Sequence, residues 1–247
     1  MLVSFRNNKE GENKMITFEV NKFETIVDCK HSNIGSYRSV CCEMSAKFHT
    51  GVYLLRGEID MGGWAFTYSL APQCEKTNMQ NVSFLYNEQV IDIIELRKKV
   101  CYLGDISAYL DKPVILGDVI KKELEATKTN VTVEELSSNL DMNDWLNRDM
   151  RMLGSYVYRF TAAIGLAGGK KIFVMPWQGE YCFGAQGYVQ LFDYLITKDS
   201  IIIFPLSNDC VIERNEQDKY YNIPIVSLLC NSQIKEKYSH HNISSIK

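Results

Sequence analysis

The sequence predicts an α/β fold with a mostly parallel sheet and an antiparallel portion, and three observations support this prediction. Short, nearly continuous apolar runs at 51–55, 171–175 and 200–204 have the character of buried strands. Stretches with helical periodicity lie between the later runs, an alternation typical of a parallel sheet that is covered on both faces. A middle third rich in Leu, Glu, Lys and Asp, from about 107 to 151, predicts a helical insert.

The elements of the first half follow in order from their local patterns. Residues 15–20 alternate apolar and polar side chains, as a half-buried strand does. The remaining predicted elements are strands at 39–44 and 51–55, a helix at 64–70, a strand with a turn at 84–91, and a helical turn running into a strand over 95–103.

The second half continues with the insert, where Thr132-Val-Glu-Glu135 is a capping-box pattern that predicts the start of a helix. The later elements are a helix at 155–166, a strand at 171–175, a helix at 188–196 and a strand at 200–204. We expect one domain over residues 1–247, with a helical subdomain at about 106–155 and a polar tail at about 235–247.

Charge and composition exclude several classes of function. The net charge is −3, which gives no indication of nucleic-acid binding. No apolar run approaches the length of about 20 residues that spans a bilayer, and the first 14 residues lack the apolar core of a signal peptide. We therefore expect a cytoplasmic protein. The 8 cysteines form no CxxC pair, so we expect them to be small buried apolar residues rather than metal ligands.

The segment from Gly57 to Trp64 follows an apolar strand and precedes the predicted helix at 64–70. Its glycines at 57 and 62 match the frame GxxxxGK(S/T) of a phosphate-binding loop, in which lysine neutralises phosphate and the hydroxyl ligates magnesium. Here Gly63 stands in place of the lysine and Trp64 in place of the hydroxyl. When this motif is taken alone, a plain strand-to-helix turn explains it better, because two glycines at this spacing occur by chance.

The order of the later segments supports the interpretation of this motif as an altered phosphate-binding loop. The run ELRKKVCYLGD, which ends at Asp105, resembles the stretch before the Q-loop of ABC-transporter ATPases. The segment MLGSY, with Gly154 and Ser155, falls at the signature of that family. The runs RFTAAIGLA, KIFVMPW and SIIIFPL then resemble the signature helix, the Walker B strand and the strand before the switch histidine. The resemblance covers about residues 15–215 and implies a P-loop-NTPase-like fold of the ABC ATPase type.

The resemblance also implies that the catalytic groups of the family are lost. It places Gly63 at the lysine, Trp64 and Pro176 at the magnesium ligands, Trp177 at the catalytic glutamate and Leu206 at the switch histidine. Phosphoryl transfer depends almost entirely on positioning and electrostatics, so we expect no hydrolysis and no ATP or magnesium cofactor in this site. Glu180 and Asp209 lie near the ends of two strands, but their spacing does not recommend them as substitutes.

Two features have alternative interpretations. Gly154 and Ser155 either present a helix N-terminus to ATP on a partner subunit, as the signature does in the family, or merely begin a helix. Leu153 at the usual serine position favours the second interpretation. Trp64, Trp177 and Phe183 either fill the space that ATP would occupy or form a platform for another ligand.

By resemblance, the chain is a catalytically inactive ATP-binding-cassette subunit that pairs with an active ATPase subunit and a membrane permease. It would then lie peripherally on the cytoplasmic face of the membrane, with the helical subdomain and the Asp105 region forming the permease groove. Two alternatives stay open: a stand-alone regulatory module with a vestigial ABC fold, and an ABC ATPase that is active through atypical residues.

Overall fold

Two sheets, one parallel and one antiparallel, carry the fold. The computed structural model describes residues 16–31, 35–57, 62–74, 78–79, 82–177, 186–207 and 225–227. Its strands are β1 (Thr17–His31), β2 (Gly35–His49), β3 (Gly51–Arg56), β4 (Asn78–Met79), β5 (Ser83–Tyr86), β6 (Gln89–Ile91), β7 (Val100–Tyr102), β8 (Ile172–Val174), β9 (Ile201–Leu206) and β10 (Ile225–Ser227). Its α-helices are α1 (Ala65–Leu70), α2 (Ile93–Arg97), α3 (Leu116–Thr127), α4 (Val133–Asn139), α5 (Val157–Ala167) and α6 (Gln186–Thr197).

The parallel sheet has the order β10–β3–β9–β8–β7. Along β9, Ile201 and Ile203 point into one core cluster, whereas Ile202, Phe204 and Leu206 point into the other. Successive side chains of a strand face opposite sides of the sheet, and both sides are covered here. This is why β9 is apolar at all six positions and buried along its whole length.

The antiparallel sheet has the order β2–β1–β5–β6, and β4 also pairs with β1. Its inner face packs against α1 and against the face of the parallel sheet that carries Ile201 and Ile203. Stacked aromatic rings such as Phe18 and Phe48 fill the core there. Strands β5 and β6 are joined by Asn87 and Glu88, both with positive φ, as in a two-residue hairpin turn.

The helical insert lies between β7 and α5 and covers the other face of the parallel sheet. It contains α3, α4 and several short 3₁₀ turns, and its buried leucines share one core cluster with α5 and α6. The N-cap of α4 is Thr132, whose hydroxyl accepts a hydrogen bond from the Glu135 N–H at 3.1 Å. The capping box expected from the sequence is therefore confirmed.

Helix α5 packs very closely on the parallel sheet because of one glycine. A Cβ at Gly165 would lie 2.8 Å from the Cys101 sulfur and 2.9 Å from the Phe173 ring, so no larger residue fits without displacement. This contact fixes the helix above β7 and β8, and it thereby positions the segment at which α5 begins.

The predicted fold class is confirmed, and the predicted elements are all present with shifted ends. Strands β1 and β2 are the main difference, since each runs for 15 residues, well beyond the strands expected at 15–20 and 39–44. Beyond the part of β1 that pairs with β5, successive residues pair with β2 out to His31 opposite Gly35. The tail at 235–247 lies outside the described residues, and the division into one domain stays a prediction.

Candidate functional site

The candidate site lies at the carboxyl edge of the parallel sheet. Strands β3, β7, β8 and β9 run in the same direction, so the residues that follow them meet at this edge. In open α/β sheets this edge is where ligands bind. The segment after β3 begins with Gly57, the segment after β8 contains Pro176 and Trp177, and β9 ends at Leu206.

Gly57 joins three of these segments through its backbone. Its N–H donates a hydrogen bond to the Leu206 carbonyl at 3.0 Å. Its carbonyl accepts a hydrogen bond from the Trp177 indole Nε1 at 2.9 Å. The start of the glycine-containing segment is therefore tied to the end of β9 and to the segment after β8. The Leu206 side chain is buried in the core on the helical side.

Trp64 closes the other end of the glycine-containing segment. Its side chain is only 2% exposed, and its indole Nε1 donates a hydrogen bond to the Tyr102 hydroxyl at 3.0 Å. The Tyr68 ring packs edge-on against both Trp64 and Tyr102, with centroid separations of 6.2 and 6.0 Å. If the aromatic residues fill the space that ATP would occupy, Trp64 should be buried. This burial of Trp64 is confirmed.

The glycines before Trp64 are buried as well. Gly62 has φ +95°, a conformation that L side chains rarely adopt, and Gly63 is buried beside it. Residues 58–61 lie outside the described part of the chain. Gly62 and Gly63, the next described residues, are therefore buried directly before Trp64, which belongs to the core between the two sheets.

The Asp105 region, residues 104–107, is attached to helix α5. The Gly104 N–H donates a hydrogen bond to the Thr161 hydroxyl at 2.9 Å. Gly104 has φ +84°, and a Cβ there would lie 2.7 Å from the Tyr158 ring. The Asp105 carboxylate accepts a hydrogen bond from the Ser107 N–H at 2.8 Å, so it stabilises the turn that follows.

Gly154 lies where the chain enters helix α5. It is exposed, it has φ +51°, and a Cβ built on it would meet nothing within 4 Å. The preceding Leu153 is buried in the core, so its side chain faces inward. The backbone of Ser155 continues the short turn Gly154–Tyr156, while its hydroxyl lies outside the described part, as do Glu180, Phe183 and Asp209.

The side chains at the five positions that the family resemblance assigns decide what those positions can do chemically. Gly63, Trp64, Pro176, Trp177 and Leu206 offer no cation, carboxylate or hydroxyl. Among the described residues, no group of three or more His, Cys, Asp or Glu side chains could hold a metal ion. Each of the two tryptophans donates its only polar side-chain atom, the indole Nε1, to a group of this chain. What the arrangement does is to hold β3, β7, β8 and β9 together at their carboxyl ends.

The cysteines that the structure describes with side chains are Cys41, Cys74 and Cys101. The first two are buried, and the Cys101 sulfur donates to the Thr161 carbonyl at 3.3 Å. Burial raises the pKa of Cys41 and of Cys101 to about 12, so both stay neutral thiols at pH 7. For these three residues, the interpretation as small, mostly buried apolar groups is confirmed.

Comparison with solved structures identifies the fold. The cbiO1 subunit of the cbiONQ ABC transporter complex from Clostridium perfringens superposes with a TM-score of 0.53 at 13% identity, over 78% of this chain and 80% of that one. A protein described as the ATP-binding protein of an ABC transporter from Pyrococcus furiosus gives 0.54 at 13% identity, over 86% and 97%. The chain has the fold of an ABC-transporter ATP-binding subunit.

Sequence comparison adds no closer relationship to this ABC-type fold. No protein-family model matches the chain, and no curated protein matches it in sequence. Within the described residues, no helix is long and apolar enough to cross a bilayer. The match of individual residues to phosphate loop, Q-loop, signature, Walker B strand and switch histidine stays a prediction, because identities of 13% concern the fold alone.

Sequence reasoning did not anticipate Tyr102, Tyr158 and Thr161, although each contacts a predicted site residue or its neighbour. Tyr102 accepts the hydrogen bond of Trp64, and the other two hold Gly104. Tyr102 lies only three residues before Asp105, which is the one signal that could have indicated it. Tyr158 and Thr161 lie over 50 residues from Gly104, so only the fold brings them together.

Proposed function

We propose that this chain is a catalytically inactive ATP-binding-cassette subunit of an ABC transporter. In this proposal it binds neither ATP nor magnesium in its own site, and it assembles with an active ATPase subunit and a membrane permease. It would therefore be held at the cytoplasmic face of the membrane through that permease. The observation that carries the proposal is the internal closure of the carboxyl edge by Trp64 and Trp177.

The residue types at this edge support the absence of hydrolysis. An ABC ATPase needs a cation for the phosphates, oxygen ligands for magnesium and a base for the attacking water. If the residue-by-residue match holds, Gly63, Pro176, Trp177 and Leu206 occupy those positions and supply none of these groups. A single replacement of this kind slows phosphoryl transfer, and the full set leaves no electrostatic stabilisation of the transition state.

The burial of Trp64 supports the absence of nucleotide binding. Returning an indole of about 200 Å² to water costs about 5 kcal/mol at about 25 cal/mol per Å². A micromolar phosphate site is worth about −8 kcal/mol. If Trp64 had to leave its place for ATP to enter, even an otherwise intact site would be weakened to millimolar affinity.

Two exposed features support assembly with other subunits. Gly154 is exposed and begins the short 3₁₀ turn that leads into α5, and backbone N–H groups at a helix start can contact a phosphate bound by a partner. Leu110 and Met152 are exposed apolar residues at 48% and 67% that lie at the two ends of the helical insert. We assign Gly154 and Ser155 to the interface with the active ATPase subunit, and the Asp105 region with the insert to the permease groove.

Co-purification from the native cell tests this function. A tagged chain should recover a protein with an intact GxxxxGK(S/T) motif and a protein with membrane-spanning helices, and ATP should strengthen the complex by linkage. Ser155→Trp should lower the ATPase rate of that complex, whereas Ile94→Trp, at an exposed position of α2 outside the insert, should not. A stable homodimer that binds neither an ATPase subunit nor a permease would contradict the proposal and favour a stand-alone regulatory module.

A further inference from the structure

Helix α4 of the insert runs antiparallel along α6 of the sheet layer and contacts it at both ends. At the start of α4, Glu135 contacts Tyr194 and Lys198 at the far end of α6. At the end of α4, the Asn139 carbonyl accepts a hydrogen bond from the Gln190 side chain at 3.4 Å. Later residues of α4 therefore contact earlier residues of α6, so the two helices run antiparallel.

Glu135 is the centre of the stronger contact. Its carboxylate accepts hydrogen bonds from the Lys198 ammonium and, at 3.2 Å, from the Tyr194 hydroxyl. The ammonium lies 5.4 Å from the centre of the Tyr194 ring, so the same three groups also form a cation–π contact. The Lys198 carbonyl accepts a hydrogen bond from the Lys171 ammonium at 2.7 Å, which connects the cluster to the start of β8.

An apolar layer lies beneath these polar contacts. Leu136 and Leu140, from α4 and the residue that ends it, are buried in one core cluster with Leu191 and Leu195 of α6. The Leu140 carbonyl also accepts a hydrogen bond from the Arg159 guanidinium at 3.0 Å, which adds a link to α5. Exposed ion pairs alone contribute little to stability, so the fixation of α4 requires the apolar layer and the polar contacts together.

We propose that α4 is a strap that fastens the helical insert to α6, so that the insert and the parallel sheet move as one rigid body. The position of the insert then depends on side chains of this chain and not on a bound ligand. Any surface formed by the insert is consequently presented in one fixed arrangement. This inference concerns the fold of the single chain and holds whether or not the chain belongs to a transporter.

Hydrogen exchange of the purified full-length chain, followed by mass spectrometry, tests the strap. In the unchanged protein, residues 133–139 and the end of α6 should share the same protection, because they open together. Lys198→Met keeps the aliphatic stem and removes the ammonium, and Tyr194→Phe keeps the ring and removes the hydroxyl. Each should speed exchange at 133–139 by about three- to tenfold, the scale of a weak ion pair or hydrogen bond, and leave β9 unchanged.

Arg151→Met is the matched control, since it removes an ion pair to Asp149 within the insert that does not reach α6. It should leave exchange at 133–139 unchanged. The proposal is overturned if α4 exchanges over a hundredfold faster than α6 in the unchanged protein. It is equally overturned if both α6 variants leave α4 unaffected, or if they speed β9 as much as α4.

Discussion

The indole Nε1 of Trp177 donates a hydrogen bond to the carbonyl oxygen of Gly57 at 2.9 Å, across 120 residues of sequence. Gly57 is the first glycine of the candidate phosphate loop, and Trp177 follows the candidate Walker B strand. The contact therefore joins the segment after β3 to the segment after β8. Together with the hydrogen bond from the buried Trp64 to Tyr102, it ties neighbouring segments of this edge to one another.

Trp177→Phe tests the contribution of this hydrogen bond to stability. The substitution keeps an aromatic ring and leaves the Gly57 carbonyl without its indole donor. We expect the free energy of unfolding to fall by about 1 to 2 kcal/mol, the usual cost of an unsatisfied buried acceptor. Urea unfolding measures the change, with Trp145→Phe in the insert as the control for loss of ring size. A variant as stable as the unchanged protein would show that the contact is dispensable.

Trp64→Ala tests the packing of the second tryptophan. Removing this buried side chain should lower the free energy of unfolding by about 3 to 5 kcal/mol. Tyr102→Phe, which removes only the hydrogen-bond acceptor of the indole, should cost about 1 kcal/mol. Acrylamide should barely quench Trp64 fluorescence in a variant whose other two tryptophans are phenylalanine. Free quenching, together with unchanged stability on truncation, would instead favour an open ligand platform.

Gly104→Ala tests the attachment of the Asp105 region to α5. The new methyl group would meet the Tyr158 ring at 2.7 Å in a backbone conformation with φ +84°. Gly154→Ala is the matched control, because Gly154 also has positive φ but open space around its Cβ position. We expect about 1 kcal/mol of destabilisation for Gly154→Ala from backbone strain, and at least about 1 kcal/mol more for Gly104→Ala from overpacking. Equal costs would contradict the contact with Tyr158.

The Glu135 cluster predicts a dependence of stability on pH. The Lys198 ammonium, as the main cause, and the Tyr194 hydroxyl lower the pKa of Glu135 below its ordinary value. A carboxyl group with a lowered folded-state pKa stabilises the fold above its unfolded pKa, and this contribution disappears as the pH falls through the folded-state pKa. The partial exposure of the pair limits the contribution to about 0.5 to 1 kcal/mol.

Urea unfolding of the unchanged protein and of Glu135→Gln between pH 7 and pH 3 measures this contribution. The difference between the two proteins should be present at pH 7 and should shrink as the pH falls towards 3. A constant difference over the whole range would mean that the charge of Glu135 contributes nothing and that only its shape matters.

How much of this structure was predictable depends on how far apart the interacting residues lie. The continuous apolar run of β9, the Thr132 cap and the order of strands and helices depend on neighbouring residues, so the sequence predicts them well. The contacts of Gly57 with Trp177 and of Gly104 with Thr161 connect residues 120 and 57 positions apart. No local pattern encodes such pairs, because they arise only when the parallel strands align their carboxyl ends.

Local sequence patterns also could not predict the lengths of β1 and β2, for a different reason. Their distal halves pair with each other and carry mixed polar and apolar residues, such as those at 28–31, without regular alternation. Without that alternation, the two-residue period that indicates a half-buried strand is missing from the sequence there. Backbone pairing between the two strands continues through these distal halves, and it depends on residues that are distant in sequence.

Calorimetric titration of the purified chain with ATP and magnesium tests the central claim most directly, namely that Trp64 and Trp177 close the site against nucleotide. We expect no measurable heat of binding at micromolar to low-millimolar ATP, and no release of phosphate. Gly63→Lys should not restore hydrolysis, because the metal ligands and the base would still be missing. A dissociation constant in the micromolar range, about −8 kcal/mol, would contradict the claim and show that the glycine-containing segment still cradles phosphate.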